Sequence, residues 1–170
     1  MNFAKSLFAA LALGTLAACQ SVPTAGSAQA TLASKSGSAV TGTVTFTPSS
    51  DGVLVIASLK GLTPNAEHGF HVHEKGDCSA ADAMSAAGHF NPSGAPHGAS
   101  GATHHAGDMP NLRADAYGNA QYRTTLSGVT VEGPQGVLGR SVVVHRDPDD
   151  YKSQPAGNSG PRIACGVIQR

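Results

Sequence analysis

The sequence contains no tryptophan, few other aromatic residues (5%) and few charges (13% Asp, Glu, Lys and Arg). So small a charged fraction excludes a coiled coil and a charged disordered tail. Neither sign is in surplus: Lys+Arg and Asp+Glu both count 11. The chain therefore offers no broad basic surface for a nucleic acid, and any attraction for a charged ligand must be local. No apolar run reaches the roughly 20 residues that a membrane-spanning helix needs. Glycine, at 21 residues, is plentiful and suits short strands, tight turns and long ordered loops. Eight histidines stand out, all but His145 lying between positions 68 and 105. At 170 residues the chain has room for one domain with a proper core plus an export segment.

The amino terminus reads as an address. Lys5 precedes an apolar run from Ser6 to Ala18 that polar Gln20, Ser21 and Thr24 end too early for a bilayer span, the pattern of a secretory signal over residues 1–18. Leu16-Ala17-Ala18-Cys19 resembles the lipobox of bacterial lipoproteins, in which the cysteine is acylated and becomes the new N-terminus. That resemblance implies export, with the chain anchored to a membrane through lipid on Cys19, and Gln20 after the cysteine points to the outer membrane. Residues 19–29 then form a flexible polar tether, and residues 30–170 the folded domain.

From Thr31 onward, apolar and polar residues alternate with period two. The expected strands are Ser38 to Thr47, Gly52 to Leu62, Glu67 to His73, Leu112 to Ala116, Gln121 to Leu126, Ser141 to His145 and Arg162 to Ile168. Ser79 to Ala87 has room for a helical turn or two. Several short strands with turn signals between them predict an all-β, antiparallel Greek-key barrel or sandwich. Two stretches, Glu74 to Asn111 and Arg146 to Pro161, break the rhythm, and loops of that length in a compact domain are functional or disordered.

The first long loop is where imidazoles gather. His71 and His73, two apart on a strand, project from one face and can reach one metal ion. His89, His97, His104, His105 and Asp108 follow in a Gly/Pro-rich context, and His145 ends the run Val142-Val143-Val144. Imidazole with carboxylate suits zinc or copper better than calcium or magnesium.

Two segments make the pattern specific. Gly69-Phe70-His71-Val72-His73-Glu74-Lys75-Gly76-Asp77 resembles one signature of the copper/zinc superoxide dismutase family, and Gly157-Asn158-Ser159-Gly160-Pro161-Arg162-Ile163-Ala164-Cys165-Gly166-Val167-Ile168 resembles the other. The resemblance extends from Gln29 to Arg170, and the short segment from His73 to Cys78 looks like the bacterial branch. It implies copper on His71, His73, His89 and His145, zinc on His89, His97, His105 and Asp108, and His89 bridging the two as an imidazolate. It places Asp149 as a carboxylate linking His71 to His97. It pairs Cys78 with Cys165 in a disulfide, in keeping with an oxidising compartment. The spacing of three to Asp108 selects His105 over His104 as the ligand, and His68, facing away from His71, is expected to bond backbone groups.

The activity so implied is disproportionation of the superoxide anion to dioxygen and hydrogen peroxide. Arg162 orients the anion and His89 supplies a proton. Lys75 and Lys152 either add to the positive field or are solvated loop residues. Two rivals remain at this point, a non-catalytic copper-binding relative and a zinc-only structural module; the presence of His145 and Arg162 speaks against both. Monomer and homodimer are both open.

Overall fold

The computed structural model describes residues 26–170, so the expected signal, Cys19 and most of the tether lie outside the described residues. Among the described residues there are nine strands: β1 (Ala28–Ser34), β2 (Thr41–Ser49), β3 (Gly52–Lys60), β4 (Glu67–His68), β5 (Phe70–His73), β6 (Leu112–Arg113), β7 (Ala120–Ser127), β8 (Ser141–His145) and β9 (Arg162–Val167). A single 3-10 turn, Met84–Ala86, stands where a helical turn was expected. β1 begins at Ala28, two residues ahead of the expected domain start, because Gln29 pairs with both Thr45 and Gln169. The sixth strand is shorter than expected, since the Asp115 carboxylate accepts the backbone N–H groups of Tyr117 and Asn119 and closes a turn there.

Seven strands form one antiparallel sheet in the order β5-β8-β9-β1-β2-β3-β7, and β4 pairs with β6 separately. β1 joins the two halves: Ala28 to Leu32 pair with β2, whereas Ala33 and Ser34 pair with Cys165 and Ala164 of β9. One strand thus belongs to both walls and curls the sheet on itself. Placing β7 beside β3 and β5 beside β8 requires the chain to cross the ends, as in a Greek key.

Alternation sorts the two faces. Val53, Val55, Ala57 and Leu59 of β3 are buried while Ile56, Ser58 and Lys60 are exposed. Inside, Leu32, Val44, Phe46, Phe70, Val72, Val142 and Val144 form the main core, and Tyr122 packs edge-on against Phe70 at 5.3 Å between ring centroids. β8 is buried on both faces, however. Val143 points outward into a second small cluster with Ala83, Ala86 and Cys165, packed against Cys78. The outer face of β5, β8 and β9 is therefore covered by the long loops, which fall at 74–111 and 146–161 as their sequence implied.

Candidate metal centre

His71 and His73 leave the same outer face, opposite Phe70 and Val72 in the core, with Val143 and Ser141 as their cross-strand partners. The first loop is brought to them through backbone bonds. Val72 N–H donates to Gly107 O (2.9 Å), Phe90 N–H to Val72 O (2.8 Å) and Gly107 N–H to Phe90 O (2.9 Å). Each of these three residues sits beside expected ligands, so one small backbone triangle places His71, His73, His89 and Asp108 together. Gly107 suits that crossing because a Cβ there would run into the Val72 carbonyl. A register shift after Val144 then turns His145 toward the same region.

Two buried donor sets result. Ligand atoms of His71, His73, His89 and His145 lie within 4.8 Å of one another, as do those of His89, His97, His105 and Asp108. His89 belongs to both. On one side, His73 Nε2 and His145 Nε2 face each other at 3.3 Å. On the other, Asp108 Oδ1 is 2.7 Å from His89 Nδ1 and 3.2 Å from His105 Nδ1. His97 Nδ1 lies 2.9 Å from Asp108 Oδ2 but outside hydrogen-bonding direction.

The far nitrogens of the rings are tied down. Asp149 accepts from His71 Nε2 and His97 Nε2, both at 2.9 Å, and so links one donor set to the other. His73 Nδ1 donates to Ala87 O (2.9 Å) and His145 Nδ1 to Gly160 O (3.3 Å). These bonds fix ring orientation and leave the opposite nitrogens bare. His71 Nδ1, His89 Nε2 and His97 Nδ1 are buried without any hydrogen-bond partner. Orphaned polar atoms are costly in an interior, and several converging on two points are what neutral imidazoles show around a pair of cations. The residues fit copper and zinc: four imidazoles for one ion, three imidazoles and a carboxylate for the other.

Protonation follows suit. Burial, aided by neighbouring His89, holds His71 and His73 well below the ordinary imidazole value, and burial pushes His145 down to about 3. Burial also lowers His105, against the pull of Asp108. For Asp108, burial works to raise the value, but the bond from His89 and the surrounding rings keep it below the ordinary carboxylate value. Neutral rings and an ionised carboxylate are the forms that bind metal.

Above His145 opens a cleft of about 430 Å³ that is also lined by Arg162, Asp82, Met84 and Gly160. Arg162 is half-buried, donating from Nη1 to Ala83 O (2.7 Å) and from Nη2 to Ala87 O (2.6 Å). Lys75 and Lys152 are exposed and neither lines this cleft. Cys78 and Cys165 form a disulfide, fastening the first loop to β9. His104 is outside both donor sets, its Nδ1 held 2.6 Å from the carbonyl of His105. His68 is buried, with Nδ1 3.0 Å from the carbonyl of His145.

Three supports were not read from the sequence. Asn111 brackets the backbone of Asp149, accepting from its N–H (2.9 Å) and donating to its carbonyl (3.0 Å). Gln154 does the same for His97, at 2.8 and 2.9 Å. Both are amides within the long loops, a weak signal that gains meaning only once the loops are seen to meet. The carbonyls of Ala83 and Ala87, which hold Arg162, leave no trace in residue identity.

Residues 40–168 match the family described as copper/zinc superoxide dismutase. Cu-Zn superoxide dismutase 2 of Aquifex aeolicus (strain VF5) is 46% identical over 136 residues, covering 76% of this chain and 80% of its own. The Cu-Zn superoxide dismutase of Cordyceps militaris is 44% identical over 138 residues, 76% of this chain and 89% of its own. Among solved structures, a SOD-like protein from Bacillus subtilis superposes with a TM-score of 0.73 at 34% identity, covering 81% of this chain and 95% of that one.

Proposed function

The chain belongs to the copper/zinc superoxide dismutase family, and from that premise we propose how its residues divide the work. It is an oxidoreductase that disproportionates superoxide, with copper and zinc as its metals. His71, His73, His89 and His145 hold copper; His89, His97, His105 and Asp108 hold zinc; and His89 bridges the two as an imidazolate. The observation that carries this assignment is the membership of His89 in both donor sets, with Nδ1 bonded to Asp108 and Nε2 bare on the other side.

When bound, copper supplies the one-electron couple between superoxide and its two products, while zinc in its closed set supplies charge and rigidity. Arg162 draws the anion into the cleft and orients it beside His145 with the planar fork of its guanidinium. Two superoxides and two protons give dioxygen and hydrogen peroxide. One proton passes through Nε2 of His89, which can carry it only while that nitrogen is not holding copper, and solvent reaching the cleft provides the other. Asp149 keeps His71 and His97 in the tautomers that point their Nδ1 atoms inward.

Metal analysis of two variants tests the division. His145→Ala is expected to lose copper and activity while retaining about one zinc per chain, and Asp108→Ala to lose chiefly zinc and loosen the loop over 74–111. The reverse pattern overturns the assignment.

The same reading includes location: residues 1–18 are an export signal and Cys19 carries a lipid that holds the domain at a membrane on the periplasmic side. Leu16-Ala17-Ala18-Cys19 supports it, and so does the disulfide between Cys78 and Cys165, since such bonds persist in oxidising compartments. Cys19→Ala is expected to abolish labelling by fatty acid and membrane fractionation with specific activity unchanged. Absence of label from the unaltered protein in its native host refutes the anchor.

A further inference from the structure

The lip of the cleft carries two side chains for which neither the core nor the capture of superoxide has a use. Met84 is 60% exposed, whereas Met109 is 1% exposed and packed in the core. Asp82 is exposed two residues before it, and its Oδ1 accepts the N–H of Met84 (3.0 Å), so the pair is held as one unit. Both line the same cleft as His145 and Arg162. A carboxylate there works against an anionic substrate. Burial lowers the proton affinity of the Arg162 guanidinium and the Asp82 carboxylate raises it again, which shows that the two charges act on each other. An exposed thioether, for its part, forgoes the burial that methionine normally finds.

Both groups suit a cation travelling the other way. Thioether sulfur selects copper(I) among the metals the site takes, and a carboxylate offsets the repulsion that Arg162 imposes on any cation approaching His145. We propose that Asp82 and Met84 form a transient landing site for copper(I) at the mouth of the cleft, from which the ion passes to His145 and then to His71, His73 and His89. This rests on the assignment of those four histidines to copper. The cleft thus has a cation-accepting rim above an anion-accepting floor, and the rim serves assembly rather than turnover.

The test is the rate of copper uptake. Zinc-loaded, copper-free protein with its disulfide intact is mixed without oxygen with copper(I) held in dilute acetonitrile, a cationic complex, and the copper not yet taken up is read at intervals by the colour it gives with bicinchoninate. Met84→Leu, which keeps size and apolarity, is expected to slow uptake at least about fivefold while reaching the same final copper per chain. Asp82→Asn is expected to slow uptake less and to weaken its dependence on salt. Neither change is expected to lower turnover of the fully loaded enzyme. Uptake by Met84→Leu at the unaltered rate overturns the landing site. Failure of the unaltered protein to take up copper, or full retention of it in His145→Ala, overturns instead the copper assignment on which the landing site rests.

Discussion

Arg162 and His73 share one acceptor: the carbonyl oxygen of Ala87 takes a hydrogen bond from Arg162 Nη2 (2.6 Å) and another from His73 Nδ1 (2.9 Å). The group proposed to orient the anion and a proposed copper ligand are thus registered to the same atom. Aiming that carbonyl has a cost. Ala87 has φ 62° and ψ −149°, a region that only glycine occupies freely, and Ala83, whose carbonyl takes the other arm of Arg162, has φ 58°.

Ala87→Gly is expected to relieve a backbone strain of about 1–3 kcal/mol, offset by about 0.5–1 kcal/mol for the greater freedom of glycine in the unfolded chain. The net effect on metal-free protein is a modest rise in stability, and Ala87→Val a fall, read from urea midpoints. A glycine variant less stable than the unaltered protein would show that Ala87 is not strained.

Among the described residues, Arg162 is the one cation lining the cleft, in a protein of zero formal net charge. Its field reaches about 8–10 Å at physiological salt. Arg162→Ser is expected to lower the second-order rate about ten- to a hundredfold and to flatten its decline with rising salt, with both metals retained. Lys at 162 preserves the charge but cannot span both Ala83 O and Ala87 O, so part of the rate returns. Pulse radiolysis of metal-replete variants over a salt series decides the matter. An unaltered rate and salt slope in the serine variant would remove Arg162 from steering.

Much of this site is legible in the sequence because imidazole at fixed spacings is a rare pattern with few uses. His71 and His73 share one strand face, His89, His97, His105, Asp108 and His145 gather with them into two donor sets, and the limits of β8 agree residue for residue. Less legible are features carried by backbone. The start of β1 at Ala28 depends on pairing with Gln169 at the far end of the chain, a contact that no local pattern reports. The 3-10 turn at Met84–Ala86 falls within the segment expected to hold a helical turn, but no side chain reports that the flanking carbonyls of Ala83 and Ala87 turn toward Arg162. Of the two readings left open for Lys75 and Lys152, their exposed positions off the cleft agree with solvated loop residues: charge within the right loops does not place a side chain at the cleft, since a loop of sixteen or more residues presents most of its surface elsewhere.

Acid should separate the metal-free protein from the loaded one. In the folded, metal-free state His71, His73 and His145 take up protons only well below the ordinary imidazole value, His145 at about 3, because they are buried and crowd one another. The unfolded chain protonates the same rings near about 6.5. Below that pH the unfolded state binds more protons, so stability falls as pH falls, by up to about 1.4 kcal/mol per pH unit for each ring. The loss begins near pH 6.5 and continues towards 3. Asp108, held below the ordinary carboxylate value, is fully stabilising throughout the upper part of this window and adds its own loss only near pH 4 and below. With metals bound, a ring cannot accept its proton without releasing an ion, so the loaded protein is expected to hold its stability to lower pH and then to lose metal and stability together. Urea midpoints of both forms between pH 7.5 and 5 check this. A metal-free protein whose stability is flat over that range would mean that the buried rings are not neutral, and the donor sets would have to be reassigned.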